Sequence, residues 1–382
     1  MIKNVVLKKS LKNSVFKVVS LLNNVVPKHN NYILLYSGNK GISFNLIPLR
    51  DYLLLNGYDT NNRIICGIED MKYAETDNCT YVTHVKAIFY YLKSKYVFYT
   101  AGQLPIKPSK SQKVIHLQHG ITFKTCGKLT HINNGNEFFF TDCLATSNIY
   151  KPIYSKAFGC SEENIYINSE PVTDVFFNGY KKYDLGNYNK IILWTPTFRQ
   201  SDYLGYDDSE TEELLPLFEE KDYSRLNEIL KEYNFLLMVK IHPSQDLSRY
   251  SKLKYSNLQI LSNDDFNQMG MEIYNLLPQV DAIIGDYSSL CMQSLLLDKP
   301  MAYVVPDMEE YSKRRGFAFD PPTDYMPGDL IKDKDQFYQW LDDFNKGIDK
   351  YESIRNKVKN KVHLYSDGKS CERLLEYCGI NK

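Results

Sequence analysis

The residues of this chain that could do chemistry stand where apolar runs stop. Ile283-Ile284-Gly285-Asp286-Tyr287-Ser288-Ser289 passes from a buried-strand pattern through a glycine into a polar turn that opens a helix reaching about Asp298. The N–H groups of Ser288, Ser289 and Leu290 at such a helix start point outward and suit an anion, and serine hydroxyls add donors. Capping by Asp286 or Ser288 alone is the plainer alternative. Lys240-Ile241-His242-Pro243 ends a second run in a turn, because proline stops the strand and leaves His242 at its rim. An imidazole there donates to a diphosphate or protonates a leaving oxygen; the plainer reading is a solvated histidine.

His116-Leu117-Gln118-His119-Gly120 places His119 between a strand and a glycine turn, where a ligand can approach closely. A histidine so placed suits a general base for an acceptor hydroxyl, or it is a structural turn residue. Lys124, five residues on, is a phosphate contact or a surface lysine. Thr195-Pro196-Thr197-Phe198-Arg199 follows the run Ile191–Trp194 and brings hydroxyls and a guanidinium whose fork matches an oxyanion. Tyr311, Arg314, Arg315 and Gly316 form a weaker basic cluster.

These residues need a frame that brings strand ends together. Strand patterns at 32–36, 63–66, 96–99, 114–117, 143–145 and 165–167 alternate with helical stretches, including one over about 43–56. A polar segment at 179–189 reads as a linker. A second series follows, with strands at 191–194, 235–241, 258–261, 282–284 and 301–305, and helices near 223–233, 271–277, 289–297 and 334–344. Alternation of this kind predicts two parallel sheets covered on both faces, with ligands outside the carboxyl ends of the strands.

The totals fit two globular domains: 382 residues, 43% apolar and 24% charged. Lys+Arg and Asp+Glu balance at 46 each, so no global charge argues for nucleic acid. Eight cysteines occur singly, without a C-x-x-C pair or zinc spacing, and no signal peptide is recognisable; the expectation is a reducing, cytoplasmic setting. Within residues 1–27, Leu7, Leu11, Val15, Val18, Leu22 and Val25 fall on one helical face. Lys3, Lys8, Lys9, Lys12 and Lys17 accompany them, and Pro27 closes the segment. Such a basic amphipathic helix suits an anionic membrane surface. The alternative is a helix packed on the first domain with its lysines in water.

Taken in order, the motifs resemble the CDP-glycerol glycerophosphotransferase family of teichoic-acid and capsule synthesis. The residues that carry the likeness are His119-Gly120 with Lys124, Thr195–Arg199, His242-Pro243, Asp286–Ser289, Arg315-Gly316-Phe317, Pro327-Gly328, and Asp367-Gly368-Lys369-Ser370 with Arg373. They span roughly residues 30–380. The resemblance implies a GT-B fold, two Rossmann-like domains facing across a cleft. Its parts are an amphipathic arm (1–28), an acceptor domain (29–180), a nucleotide-donor domain (190–348) and a helical segment (349–382).

The same resemblance implies transfer of glycerol phosphate, or another polyol phosphate, from a CDP-activated donor to a glycan or lipid-linked acceptor, with release of CMP. His119 and His242 become the catalytic residues. Thr195, Thr197, Arg199, Asp286, Ser288, Ser289 and Arg315 become the donor diphosphate site, with Lys124 as a further phosphate contact. No metal site and no required cofactor are indicated, and the expected location is the inner face of the cell membrane. A GT-B nucleotide-sugar glycosyltransferase, or a silent membrane scaffold, is the competing reading. Two positions depart from the family pattern. Gln118-His119-Gly120-Ile121-Thr122 stands where the teichoic-acid branch usually has Trp-His-Gly-Thr-Pro, and Gly285 stands where threonine is frequent. Both bear on substrate identity and not on fold.

Overall fold

A strand buried on both faces has no solvent side, so continuous apolar runs pair in parallel and take helices on either face. That is the arrangement in a computed structural model of the chain, which describes residues 5–130, 137–197, 200–201, 206–207, 215–241 and 255–382. For 5–13, 200–201 and 206–207 it describes the backbone alone.

The first sheet comprises β1 (His29–Tyr36), β2 (Arg63–Ile68), β3 (Thr80–Thr83), β4 (Ser94–Tyr99), β5 (Lys113–His116), β6 (Asp142–Ala145) and β7 (Ile165–Ile167). All pairings are parallel, in the order β3-β2-β1-β4-β5-β6-β7. Alternate residues supply its two cores, as a two-residue period requires. Ile33, Leu35, Phe98 and Ile115 pack with Leu46, Leu49 and Leu53 of α2 (Leu46–Leu55), and with Leu374 and Leu375 from the helix Ser370–Cys378. Leu34, Tyr36, Val97 and Val114 pack on the other face with Ala87 and Tyr91 of α3 (His84–Lys93).

The N-terminal helix α1 (Val5–Val25) lies against this second core through Phe16 and Val19. Its inner face is otherwise polar. Asn23 is fully buried, and its Nδ2 donates to Lys107 O (2.9 Å) and Gln112 Oε1 (2.7 Å). Val15, Val18, Leu22 and Val25 remain 54%, 57%, 49% and 75% exposed, and Leu21 70%. The helix is therefore packed on the first unit by polar groups together with Phe16 and Val19, with Lys17 exposed, while these residues of the apolar stripe face outward.

The second sheet comprises β8 (Lys190–Trp194), β9 (Phe235–Lys240), β10 (Leu258–Leu261), β11 (Ala282–Gly285), β12 (Met301–Val304) and β13 (Asp329–Ile331). It too is parallel, in the order β10-β9-β8-β11-β12-β13. Trp194, Phe218, Phe235, Phe337 and Leu341 belong to one core packed on it.

The chain divides into two compact units, one holding 1–119, 134–174 and 364–382 and the other 120–133 and 175–363. Two segments thus leave the half in which sequence order would put them. The second unit takes 120–133, and 364–382 returns to the first. The late Asp-Gly-Lys-Ser motif explains the return. Asp174 accepts hydrogen bonds from Ser370 N (3.0 Å), Ser370 Oγ (2.7 Å) and Cys371 N (3.3 Å). Arg373 pairs with Asp367 at 2.7 Å and donates to Asn168 Oδ1 at 2.8 Å. This motif is a brace within the first unit.

Among the described residues two histidines are buried. His116 stacks on Tyr99 at 4.6 Å, and burial, followed by the nearby His119, pushes its pKa from 6.5 down to about 3. Burial likewise pushes His363 down to about 4. Below pH 6.5 the unfolded chain binds a proton on each that the folded chain refuses. Stability therefore declines as pH falls from 6.5 towards 4, by about 1.4 kcal/mol per pH unit for each histidine. His116→Phe, which keeps the ring stack, is expected to flatten the acid side of the Tm–pH profile. An unchanged acid slope would count against this assignment.

Candidate active site

The strand order of the second sheet reverses between β8 and β11, so the turns after these two strands flank the opening where an open parallel sheet binds ligands. Those turns carry residues 195–197 and 286–289. They are tied together at two levels. Thr195 N donates to Ile284 O (3.0 Å), extending the ladder by one bond. Beyond it the carboxylate of Asp286, 1% exposed, accepts from Thr197 N (2.7 Å) and Thr197 Oγ1 (2.5 Å).

Tyr287 faces inward from the same turn. It is fully buried, stacks on Tyr311 at 4.1 Å, and donates to Asp307 Oδ1 at 2.9 Å. Ser288 is the N-cap of the helix Ser289–Ser294, its Oγ accepting from Leu290 N at 3.2 Å. Gly285 leaves the space that Cys291 fills: a Cβ at 285 would collide with Cys291 Sγ. Burial, followed by the charge of Asp286, pushes that thiol up to about 12, while Lys124 acts the other way.

Lys124 reaches this neighbourhood because residues 120–133 belong to the second unit. Gly120 has φ +136°, and a Cβ there would lie 2.5 Å from Ser289 Oγ. The chain then runs antiparallel to the Arg-Gly-Phe segment. Thr125 N donates to Gly316 O (3.1 Å), Ala318 N to Phe123 O (2.9 Å) and Thr125 Oγ1 to Arg315 O (2.5 Å), with Lys124 opposite Phe317. Phe123 is buried 5.3 Å from the ring of Phe317. Two motifs nearly two hundred residues apart in sequence are one structural element.

The structure thus gathers Lys124, Thr195, Thr197, Asp286, Ser288, Ser289 and Arg315 in one unit. His119 closes a segment of the first unit, its ring 5.8 Å from that of Phe44. Arg199 and His242 lie outside the described residues. Pro327-Gly328 serves packing: a Cβ on Gly328 would strike the carbonyl of Met301 at the start of β12. Sequence reasoning missed Tyr287 as the anchor of its turn and the pairing of 123–125 with 315–318. The aromatic residues at 123, 317 and 319 were the available signal. Among the described residues no group of three or more His, Cys, Asp or Glu is placed to hold a metal.

The first sheet reverses its order between β1 and β4, and there the turns meet backbone to backbone. Gly38 N donates to Ala101 O (2.8 Å), and a Cβ on Gly38 would lie 2.8 Å from the Cα of Gly102. Not even a methyl group fits between them.

Residues 18–378 match the family model described as CDP-glycerol:poly(glycerophosphate) glycerophosphotransferase. The chain is 29% identical over 295 residues to the teichoic acid poly(ribitol-phosphate) polymerase of Bacillus spizizenii (strain ATCC 23059 / NRRL B-14472 / W23), covering 71% of this chain and 44% of that protein. To the teichoic acid glycerol-phosphate transferase of Staphylococcus aureus (strain NCTC 8325 / PS 47) it is 22% identical over 413 aligned positions, 98% of this chain and 99% of that one. The solved structure of the wall teichoic acid polymerase TagF superimposes with a TM-score of 0.72 at 20% identity, covering 99% of this chain and 95% of that chain. The fold is therefore the GT-B type expected from the sequence. The chain spans about half the length of the curated polymerases it matches, at 44%, 52% and 47%.

The pairing of Gly285 with Cys291 can be checked directly. Gly285→Thr is expected to lower Tm through overpacking, and adding Cys291→Ala to recover most of the loss, a coupling of about 1 kcal/mol or more. Additive effects in the double variant would show that the two positions do not share one space.

Proposed function

This chain belongs to the CDP-glycerol:poly(glycerophosphate) glycerophosphotransferase family, and we propose that it transfers a polyol phosphate from a CDP-activated donor to a hydroxyl of a teichoic-acid-type acceptor. The observation that carries this reading is the assembly of Lys124, Ser289 and the braced Thr197–Asp286 turn at the switch point of a single sheet.

In the proposed reaction His119 removes the proton of the acceptor hydroxyl. The acceptor oxygen bonds to the phosphorus that carries the polyol, and the bond from that phosphorus to the CMP oxygen breaks. Transfer of this type needs chiefly alignment and charge stabilisation. Lys124, Arg199, Arg315 and His242 are assigned to the negative charge of the diphosphate and the leaving CMP, with the Ser289 hydroxyl as a neutral donor. The geometry modifies the expected part of two residues. Asp286 presents an acceptor, and Thr197 directs its hydroxyl to it. Both are proposed to shape the donor site and not to bind phosphate through these groups. No metal enters this scheme; a chelator titration of turnover tests that directly.

The outward face of α1 supports a second element of the reading, attachment to an anionic lipid surface. Exposed Val15, Val18, Leu22 and Val25 share the helix with exposed Lys17 and the lysines of its first turns. A buried apolar face plus cationic side chains is the combination that holds interfacial helices. α3 adds exposed Val85 and Phe89, with the Lys93 ammonium 4.2 Å from the Phe89 ring centre. No helix of the described residues is long and apolar enough to cross a membrane. The inner face of the cell membrane is the proposed location.

Calorimetry with CDP-glycerol, CDP-ribitol, CMP and UDP-GlcNAc tests the donor class: a CDP-polyol is expected to bind, and binding of the UDP-sugar alone would overturn the reading. His119→Ala and His242→Ala are each expected to cut turnover about 100-fold or more. Unchanged turnover in folded His119→Ala protein removes the base assignment. For the membrane, replacing Val15, Val18 and Leu22 together by serine is expected to abolish flotation with phosphatidylglycerol vesicles. Undiminished flotation of that variant would refute attachment through α1.

A further inference from the structure

The turn that carries His119 is held in an unfavourable backbone conformation by a buried side chain. Gln118, immediately before it, has φ +62°, in the left-handed region that side chains other than glycine avoid. Phe44, whose ring lies 5.8 Å from that of His119, has φ +52°. Such conformations persist only where the surroundings over-determine them, and they gather at functional sites. Between them sits Asn45, fully buried at the start of α2. Its Nδ2 lies within hydrogen-bond reach of Leu117 O (2.9 Å), Gln118 O (3.2 Å) and Glu170 Oε1 (3.2 Å), and its Oδ1 accepts from Val172 N (3.0 Å). One amide thus fixes the two carbonyls that lead into His119 and ties them to the turn after β7. Gln118 is secured from its other end by Nε2, 2.9 Å from Cys143 Sγ.

We propose that Asn45 is a positioning residue for His119: by holding the Leu117 and Gln118 carbonyls it locks the left-handed turn that aims the imidazole, with Phe44 limiting the ring from one side. This rests on His119 acting as the base. A buried amide could serve packing alone, and the same unit supplies the control. Gln112 is an equally satisfied buried amide, donating to Tyr91 O (2.7 Å) and Ser94 O (2.9 Å) and accepting from Ser109 N (3.0 Å) near the start of β5, the end opposite His119.

The test uses the full chain in four variants: Asn45→Ala, the double variant Asn45→Ala with Gln118→Gly, Gln112→Ala and His119→Ala. Turnover is read as CMP release from CDP-glycerol with a synthetic teichoic-acid linkage unit as acceptor. In parallel the imidazole signals are followed by nitrogen-edited NMR, with the His119 signal identified by its loss in His119→Ala. Asn45→Ala is expected to lower kcat about 10- to 100-fold, the scale of a misplaced catalytic group, with the KM for CDP-glycerol nearly unchanged. The His119 signal should shift or broaden in that variant. Gln112→Ala is expected to lower Tm while leaving kcat and the His119 signal in place.

Adding Gln118→Gly to Asn45→Ala keeps the test decisive if Asn45→Ala alone fails to fold. Glycine adopts φ +62° freely, so the double variant folds without Asn45 holding its turn, and kcat is expected to fall. An unmoved His119 signal in folded Asn45→Ala or in the folded double variant, or an equal loss of kcat in Gln112→Ala, overturns the proposal. If His119→Ala retains full turnover, the base assignment fails, and the NMR shift still decides whether Asn45 orients the ring.

Discussion

A buried carboxylate bridging two strand ends is the constraint on which the candidate site of the second unit depends. Parallel strands leave their carboxyl-end turns without a ladder partner, and at a point where strand order reverses the turns diverge. Asp286 spans that divergence by taking both the N–H and the hydroxyl of Thr197. A carboxylate 1% exposed is costly to bury unless its oxygens are occupied, so the bridge and the burial support each other. With the turn fixed on its outer side by Asp286 and on its inner side by Tyr287, Ser288 and Ser289 have little freedom left.

The segment after His119 illustrates how a chain can build a site without respecting its own halves. Residues 120–133 are contiguous with the first unit in sequence and belong to the second in structure. Two backbone bonds with the Arg-Gly-Phe segment and the buried ring of Phe123 hold them there. Gly120 is needed at the entry, since its backbone angle and the nearness of Ser289 both exclude a side chain.

Much of this was legible in the sequence because parallel strands announce themselves. The runs at 63–66, 96–99, 143–145 and 165–167 fall within β2, β4, β6 and β7, and those at 191–194 and 282–284 fall within β8 and β11, whose ends lead into Thr195 and Asp286. What was not legible has specific causes. β3 and β13 are short strands of mixed polarity, Thr80–Thr83 and Asp329–Ile331, whose pairing depends on the neighbour and not on their own pattern. The motif at 367–373 carries the family likeness without showing a task in sequence; only the structure places Asp174 under its N–H groups. Asn45 left no signal, since a lone asparagine before a helix reads as a cap, and it caps nothing here. The Gly285 departure also became intelligible only in space, six residues away at Cys291.

The contact of Gly38 with Gly102 makes the two sheets unequal at their switch points despite their common plan. Both follow the order that elsewhere creates a phosphate-sized opening, yet in the first sheet backbone occupies that opening. Repetition of an architecture is therefore no guide to repetition of a site: one pair of residues without side chains is enough to fill with backbone the place where the strand order would leave an opening.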